Sequence, residues 1–188
     1  PEWEYRHGIP EGPGIHSNPI IVDGLLYFTS PRMRTVALDA KTGKEVWVFD
    51  PADHDPGRNR DSRSRSRGVV FWEDANGGNR RIFSFVRDRV YAMEARSGQI
   101  IESFGNGGWI DLRLNLSVPP EQASIEAITP GITFRNFLMV CSRVQEGYDS
   151  TPGDVRSYDT LTGEFRWSFH TVPRKGEVGY ETWQWEEG

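Results

Sequence analysis

Apolar and polar residues alternate in short runs along most of the chain, and glycine-bearing turns separate the runs. That spacing has period two, the pattern of half-buried β-strands. Pro19–Val22 and Leu25–Thr29 flank Asp23-Gly24, a pair that favours a two-residue hairpin because Gly tolerates positive φ. Thr35–Asp39 and Lys44–Phe49 flank a second turn, Ala40-Lys-Thr-Gly43. The pattern predicts a meander of four short strands with its own apolar positions, among them Ile20, Leu25, Val36 and Trp47.

The unit recurs. Val69–Trp72, Arg81–Val86, Arg89–Glu94 and Gln99–Phe104 form a second copy, and Ile132–Phe134, Phe137–Ser142, Val155–Asp159 and Glu164–Phe169 form a third. The clearest signature is the turn between third and fourth strands: VALDAKTGKEVW, VYAMEARSGQIIESF and VRSYDTLTGEFRW. Each holds an acid (Asp39, Glu94, Asp159), a glycine four residues on (Gly43, Gly98, Gly163), and then a large aromatic. The acid accepts hydrogen bonds from turn amides, and the glycine takes the left-handed position. The tryptophan then covers the joint between adjacent sheets. Four-stranded meanders repeated about an axis make a β-propeller.

The predicted fold is therefore all-β: a partial propeller of about three four-stranded antiparallel blades. The blades span 17–49, 69–104 and 128–169, residues 1–8 end a preceding blade, and 170–188 form an exit loop. Three blades cannot close a ring, which needs at least about four, so the chain is expected to be a fragment of a larger propeller. A short helix is expected at Pro120–Ala127, inside an insertion.

Composition adds exclusions. Lys and Arg number 22 against 27 Asp and Glu, a net charge of −5, and no basic face argues for a nucleic-acid partner. No apolar run approaches the ~20 residues of a transmembrane helix. Aromatic residues make up 12% of the chain beside 20 Gly and 12 Pro, which suits many strands and tight turns. The single cysteine, Cys141, excludes an internal disulfide. His7, His16, His54 and His170 show no metal-ligand spacing, and neither a phosphate loop nor a nucleophile elbow is present.

The A-x-D-x-x-T-G-x-x-x-W pattern, complete at 37–47, resembles the tryptophan-docking motif of PQQ-dependent quinoprotein dehydrogenases. NPIIVDGLLYFTSP (18–31), Ser66-Arg-Gly-Val-Val-Phe-Trp72, IESFGNGGWIDL (101–112) and GDVRSYDTLTGEFRWSFHTVPRKGEVGYETW (153–183) resemble successive segments of that family, in its order. The resemblance implies an eight-bladed propeller that uses pyrroloquinoline quinone (PQQ) and calcium to oxidise a sugar or alcohol by hydride transfer. It also implies a periplasmic location, with electrons passed to ubiquinone or a cytochrome c.

Two residues carry over by motif. Arg67 matches an arginine that binds the acidic quinone, a task for which a guanidinium offers bidentate, charge-assisted bonds. Glu146, in Ser142-Arg-Val-Gln-Glu146, matches a calcium-ligating carboxylate. Thr129 and Arg143 are further candidate quinone contacts, and His16 stands where alcohol-oxidising members carry a glutamate. Blander readings stand beside these. Arg67 ends a tract with Arg58, Arg60, Arg63 and Arg65 that otherwise reads as a solvated loop, and Glu146 reads equally as a loop acid. The family's catalytic Asp, calcium-ligating Asn and tryptophan floor match nothing here and are expected beyond residue 188. The rival readings are a non-catalytic PQQ-like propeller serving as an interaction or outer-membrane assembly scaffold, and a WD-type propeller, which the turn motif disfavours.

Overall fold

The computed structural model describes residues 2–8, 14–55, 65–147 and 149–183. Three four-stranded antiparallel sheets follow one another along the chain. The first contains β1 (Ile20–Val22), β2 (Leu25–Thr29), β3 (Thr35–Asp39) and β4 (Glu45–Phe49), paired in that order. Asp23 and Gly24 both take positive φ, 47° and 79°, as the tight first hairpin requires. A single turn of helix, α1 (Pro51–His54), is capped by Asp50, whose side chain accepts from the Ala52 amide.

The second sheet comprises β5 (Val69–Glu73), β6 (Arg80–Val86), β7 (Arg89–Glu94) and β8 (Trp109–Asp111). Its last strand differs from the sequence expectation. Of Gln99–Phe104, only Ile100 bridges β7, and the edge is taken by Trp109–Asp111 instead. Gly105, Gly107 and Gly108 all have positive φ and loop the chain away before it returns. Phe104 is buried against Phe83, with ring centroids 5.5 Å apart.

A two-stranded ribbon joins β9 (Ile125–Glu126) to a later strand, and this corrects the helix expected at 120–127. The Gln122 and Ala123 amides bond back to Pro119 in a turn, after which Ile125 and Ala127 are buried in extended backbone. The third sheet runs β10 (Ile132–Phe134), β11 (Phe137–Val140), then, past the ribbon partner β12 (Arg143–Val144), β13 (Val155–Asp159) and β14 (Phe165–Phe169).

The three turns repeat. Asp39 accepts from the Thr42 amide at 2.7 Å, Glu94 from Ser97 at 2.7 Å, and Asp159 from Thr162 at 2.9 Å. Sheets pack face to face through what these turns and strands present. Tyr27, Trp47 and Phe49 of the first sheet bury against Ile82, Tyr91 and Met93 of the second. Trp72, Phe83 and Phe85 of the second bury with Leu138, Val140 and Tyr158 of the third. Lying between two neighbours, β6 is buried on both faces, so its IFSFV run is continuous instead of alternating.

The docking tryptophan works forward by one blade. Trp3 stands over Gly43, where an added Cβ would come within 2.5 Å of its ring, and Trp47 stands over Gly98 at the same 2.5 Å. Trp47 also donates its indole N–H to the Ala95 carbonyl at 3.0 Å. The third turn is covered otherwise, because Glu102 stands at the tryptophan position. Gly105 and Ile110 approach Gly163, Gly105 N donates to the Thr162 carbonyl at 2.8 Å, and Arg81 donates to the Thr160 and Leu161 carbonyls.

Candidate functional site

β1, β5 and β10 open consecutive sheets, and the backbone ties their starts together. The Asn18 amide donates to the Arg67 carbonyl at 2.9 Å, and the Arg67 amide donates to the Ile128 carbonyl at 2.8 Å. Gly68, at φ +140°, bridges Asn18 so closely that a Cβ would lie 2.8 Å from the Asn18 carbonyl. Ser66 is buried beneath, its hydroxyl donating to Gly68 and its carbonyl accepting from Thr29 Oγ1. Arg67 is thus pinned by its backbone between two blades. Its guanidinium is exposed and has no ion pair or hydrogen bond among the described residues.

Thr129 follows the Ile128 carbonyl directly and is exposed at the start of the third blade. β11 runs antiparallel to β10, with Met139 opposite Ile132, so the chain leaving Val140 emerges at the end where β10 begins. Ser142, Arg143 and Glu146 follow there. Ser142 Oγ accepts from Arg156 Nη2 at 3.0 Å, which anchors the root of this loop. Arg143 lies opposite Glu126 in the ribbon, yet their charged groups are 3.9 Å apart and the Arg143 side chain is 71% exposed, so the pair is weak. Glu146 is exposed and makes no ion pair among the described residues.

The strand-start end of the sheets therefore gathers all four sequence-nominated residues: Arg67, Thr129, Arg143 and Glu146. His16, exposed two residues before Asn18, emerges there too. Arg65 is likewise exposed, whereas Arg58, Arg60 and Arg63 lie outside the described residues. No group of three or more His, Cys, Asp or Glu among the described residues is disposed to hold a metal.

Sequence reasoning missed the residues that support this end. Arg156 is only 1% exposed and makes no ion pair among the described residues. Its guanidinium donates to the Leu112 and Leu114 carbonyls and to Ser142, joining the second blade's outgoing segment to the third blade. Burial pulls its pKa down, partly opposed by neighbouring Tyr158 and Asp154. An arginine after a strand start carries no sequence signal of burial, because its partners are remote carbonyls.

The strand-start end of these blades thus presents a guanidinium, a hydroxyl and a carboxylate, with Arg67 and Glu146 free of ion pairs among the described residues. The family described as the PQQ glucose/ethanol/alcohol dehydrogenase β-propeller domain matches residues 2–188, and the chain belongs to that family. It is 30% identical over 184 residues to the quinoprotein glucose dehydrogenase of Escherichia coli (strain K12), covering 89% of this chain and 23% of that protein. It is 32% identical over 99 residues to the 1-butanol dehydrogenase (cytochrome c) of Thauera butanivorans, covering 52% of this chain and 13% of that one. Among solved structures, the quinohemoprotein alcohol dehydrogenase ADHIIG from Pseudomonas putida HK5 superposes with a TM-score of 0.62 at 27% identity, over 85% of this chain and 21% of its own. The chain spans less than a quarter of the length of each of these relatives.

Proposed function

We propose that this chain supplies three blades of a PQQ- and calcium-dependent dehydrogenase that oxidises a sugar or alcohol hydroxyl. The observation that supports the reading is that Arg67, Thr129 and Glu146 lie at the strand-start end, with Arg67 and Glu146 unpaired among the described residues. A scaffold has no use for an uncompensated cation on a backbone-pinned residue and an uncompensated anion at the same end.

The donor set fits the quinone. Arg67 would hold a quinone carboxylate by charge-assisted bonds, Thr129 would give a hydroxyl, and Arg143, only weakly tied to Glu126, could swing to a second carboxylate. For calcium the described residues give one carboxylate, Glu146, and the ion takes 6–8 oxygens, so further ligands come from outside these blades. When bound, the quinone supplies a two-electron hydride acceptor and calcium a Lewis acid at its carbonyl. The blades themselves contribute binding and orientation. The Asn18 and Ile128 bonds fix the Arg67 backbone, so that binding a ligand has only the side chain left to order. No residue of this chain is assigned as catalytic base. Electrons would leave to ubiquinone or a cytochrome c, and the parent enzyme would work in the periplasm.

The test is reconstitution of the longer polypeptide. Arg67→Ala should weaken quinone affinity about 10–100-fold, the range for one hydrogen bond to a charged group. Glu146→Ala should raise the calcium needed for reconstitution by a similar factor and leave metal-free quinone binding nearly unchanged. Wild-type affinities for both ligands in both variants would remove the assignment and leave the propeller intact.

A further inference from the structure

The connection from β2 to β3 carries backbone that L-residues avoid. Arg32 (φ 65°, ψ 19°) and Met33 (φ 62°) are the one consecutive pair of non-glycine residues with left-handed backbone among the described residues. Such residues normally occur singly, because Cβ crowds the following carbonyl oxygen. Two features hold this pair in place. The Ser30 amide donates to the Arg34 carbonyl at 2.9 Å and closes the loop. Met33 is only 4% exposed and lies in one buried cluster with Tyr27, Phe49 and Val69, between the first and second sheets. Arg32 itself, between buried Pro31 and Met33, is exposed and makes no ion pair or hydrogen bond among the described residues.

This loop shares a seam with Arg67. Thr29, the last residue of β2, donates its hydroxyl to the Ser66 carbonyl at 3.0 Å, and Val69 in the Met33 cluster stands two residues past Arg67. Folding needs no guanidinium at position 32, where glycine would take the same backbone without strain. Strain that its surroundings hold in place gathers at functional sites. Here it sets a second unpaired cation at the end where Arg67 is already assigned to the quinone, and like charges together attract anions. One guanidinium on the loop matches one negative charge. Its planar fork fits a carboxylate bidentately, whereas a phosphate monoester carries about −1.5 to −2.

We propose that Arg32 is a specificity-determining residue: it holds the carboxylate of a polyhydroxy acid, one of whose hydroxyls is oxidised. The oxidation rests on the dehydrogenase reading; the binding of the acid does not.

The experiment is calorimetric titration of D-gluconate, with D-glucose as its uncharged counterpart, into the longer polypeptide stripped of quinone. Wild type should bind gluconate saturably and at least tenfold more tightly than glucose. Arg32→Ala should weaken gluconate binding about 10–100-fold and abolish that preference. Arg32→Gly should lose as much yet melt no lower than wild type, which separates binding from folding. Arg87, in the β6–β7 turn at the same end, is also exposed with an unpaired side chain among the described residues, and Arg87→Ala should bind gluconate as wild type does. No preference for gluconate in wild type, or wild-type affinity in Arg32→Gly, would overturn the proposal. Equal losses in Arg32→Ala and Arg87→Ala would overturn it too, because diffuse charge would then do the binding. Tighter binding of glucose 6-phosphate than of gluconate would overturn the carboxylate. Once reconstituted with quinone and calcium, the polypeptide should oxidise gluconate with a higher kcat/KM than glucose, and that ratio should fall at least tenfold in Arg32→Ala; an unmoved ratio would overturn the substrate role. Gluconate binding through Arg32 in a polypeptide that takes up no quinone would support the site while the cofactor reading fails alone.

Discussion

Arg156 shows what a single residue contributes where no ion pair forms among the described residues. Its guanidinium donates to two carbonyls and a hydroxyl, and the Leu112 carbonyl among them would otherwise be buried unpaired. A buried acceptor left alone costs about 1–3 kcal/mol, so Arg156→Met should destabilise the intact polypeptide by about that much in urea unfolding. A value within about 0.5 kcal/mol of wild type, the scatter of innocuous surface changes, would deny it that role. The turn acids work differently. Burial pushes Asp159 up, but the Thr162 amide, Arg166 and the Leu161 amide outweigh it and hold the carboxyl below its ordinary value. The Thr42 hydroxyl and amide do the same for Asp39. A folded pKa below the unfolded one gives stability that is complete above the unfolded value, about 3.9, and lost as pH falls through the folded value. Asp159→Asn should therefore flatten the fall of Tm below about pH 4; an unchanged acid limb would contradict the ionised cap. The acids were legible because their partners lie two or three residues away. Arg156 was not, since its carbonyl partners lie 44 and 42 residues distant.

At the scale of elements, the docking turn separates packing from backbone strain. Gly98 and Gly107 share nearly the same φ, +71° and +65°, but only Gly98 faces a ring, that of Trp47, while Gly107 has nothing within 4 Å. Gly107→Ala should cost only the left-handed penalty, about 1–2 kcal/mol. Gly98→Ala should cost that plus an overpacking penalty of about 1–3 kcal/mol. Equal losses in thermal unfolding would show that the tryptophan does not hold the joint. Hairpins and turns were legible here, because Asp23-Gly24 and the acid-to-glycine spacing determine backbone locally. The edge strand of the second sheet was not. Gln99–Phe104 has strand-like composition, but the glycines at 105, 107 and 108 turn the chain back and let Trp109–Asp111 take the edge. The helix expected at 120–127 failed for a related reason: burial of Ile125 and Ala127 in the ribbon overrides local preference.

Over the whole molecule, each sheet buries the face of the next, and the series stops at the third. Ile132, Phe134, Phe165, Trp167 and Phe169 of that sheet are all exposed. Trp167 occupies the position from which Trp3 and Trp47 cover the following turn, yet no turn stands beneath it among the described residues. Residues 1–188 expressed alone should accordingly associate with rising concentration and bind a hydrophobic dye, checked by light scattering; a sharp, monomeric melt would contradict this. The propeller was legible from three repeats of one turn. That the chain at Arg67 and the chain past Val140 both lie at the strand-start end follows from strand direction. The most direct measurement is a crystal structure of the longer polypeptide soaked with quinone and calcium. The quinone should lie at the strand-start end, with a carboxylate on the Arg67 guanidinium and calcium on Glu146. Quinone density at the opposite end of the sheets, or both residues left in solvent, would contradict the site.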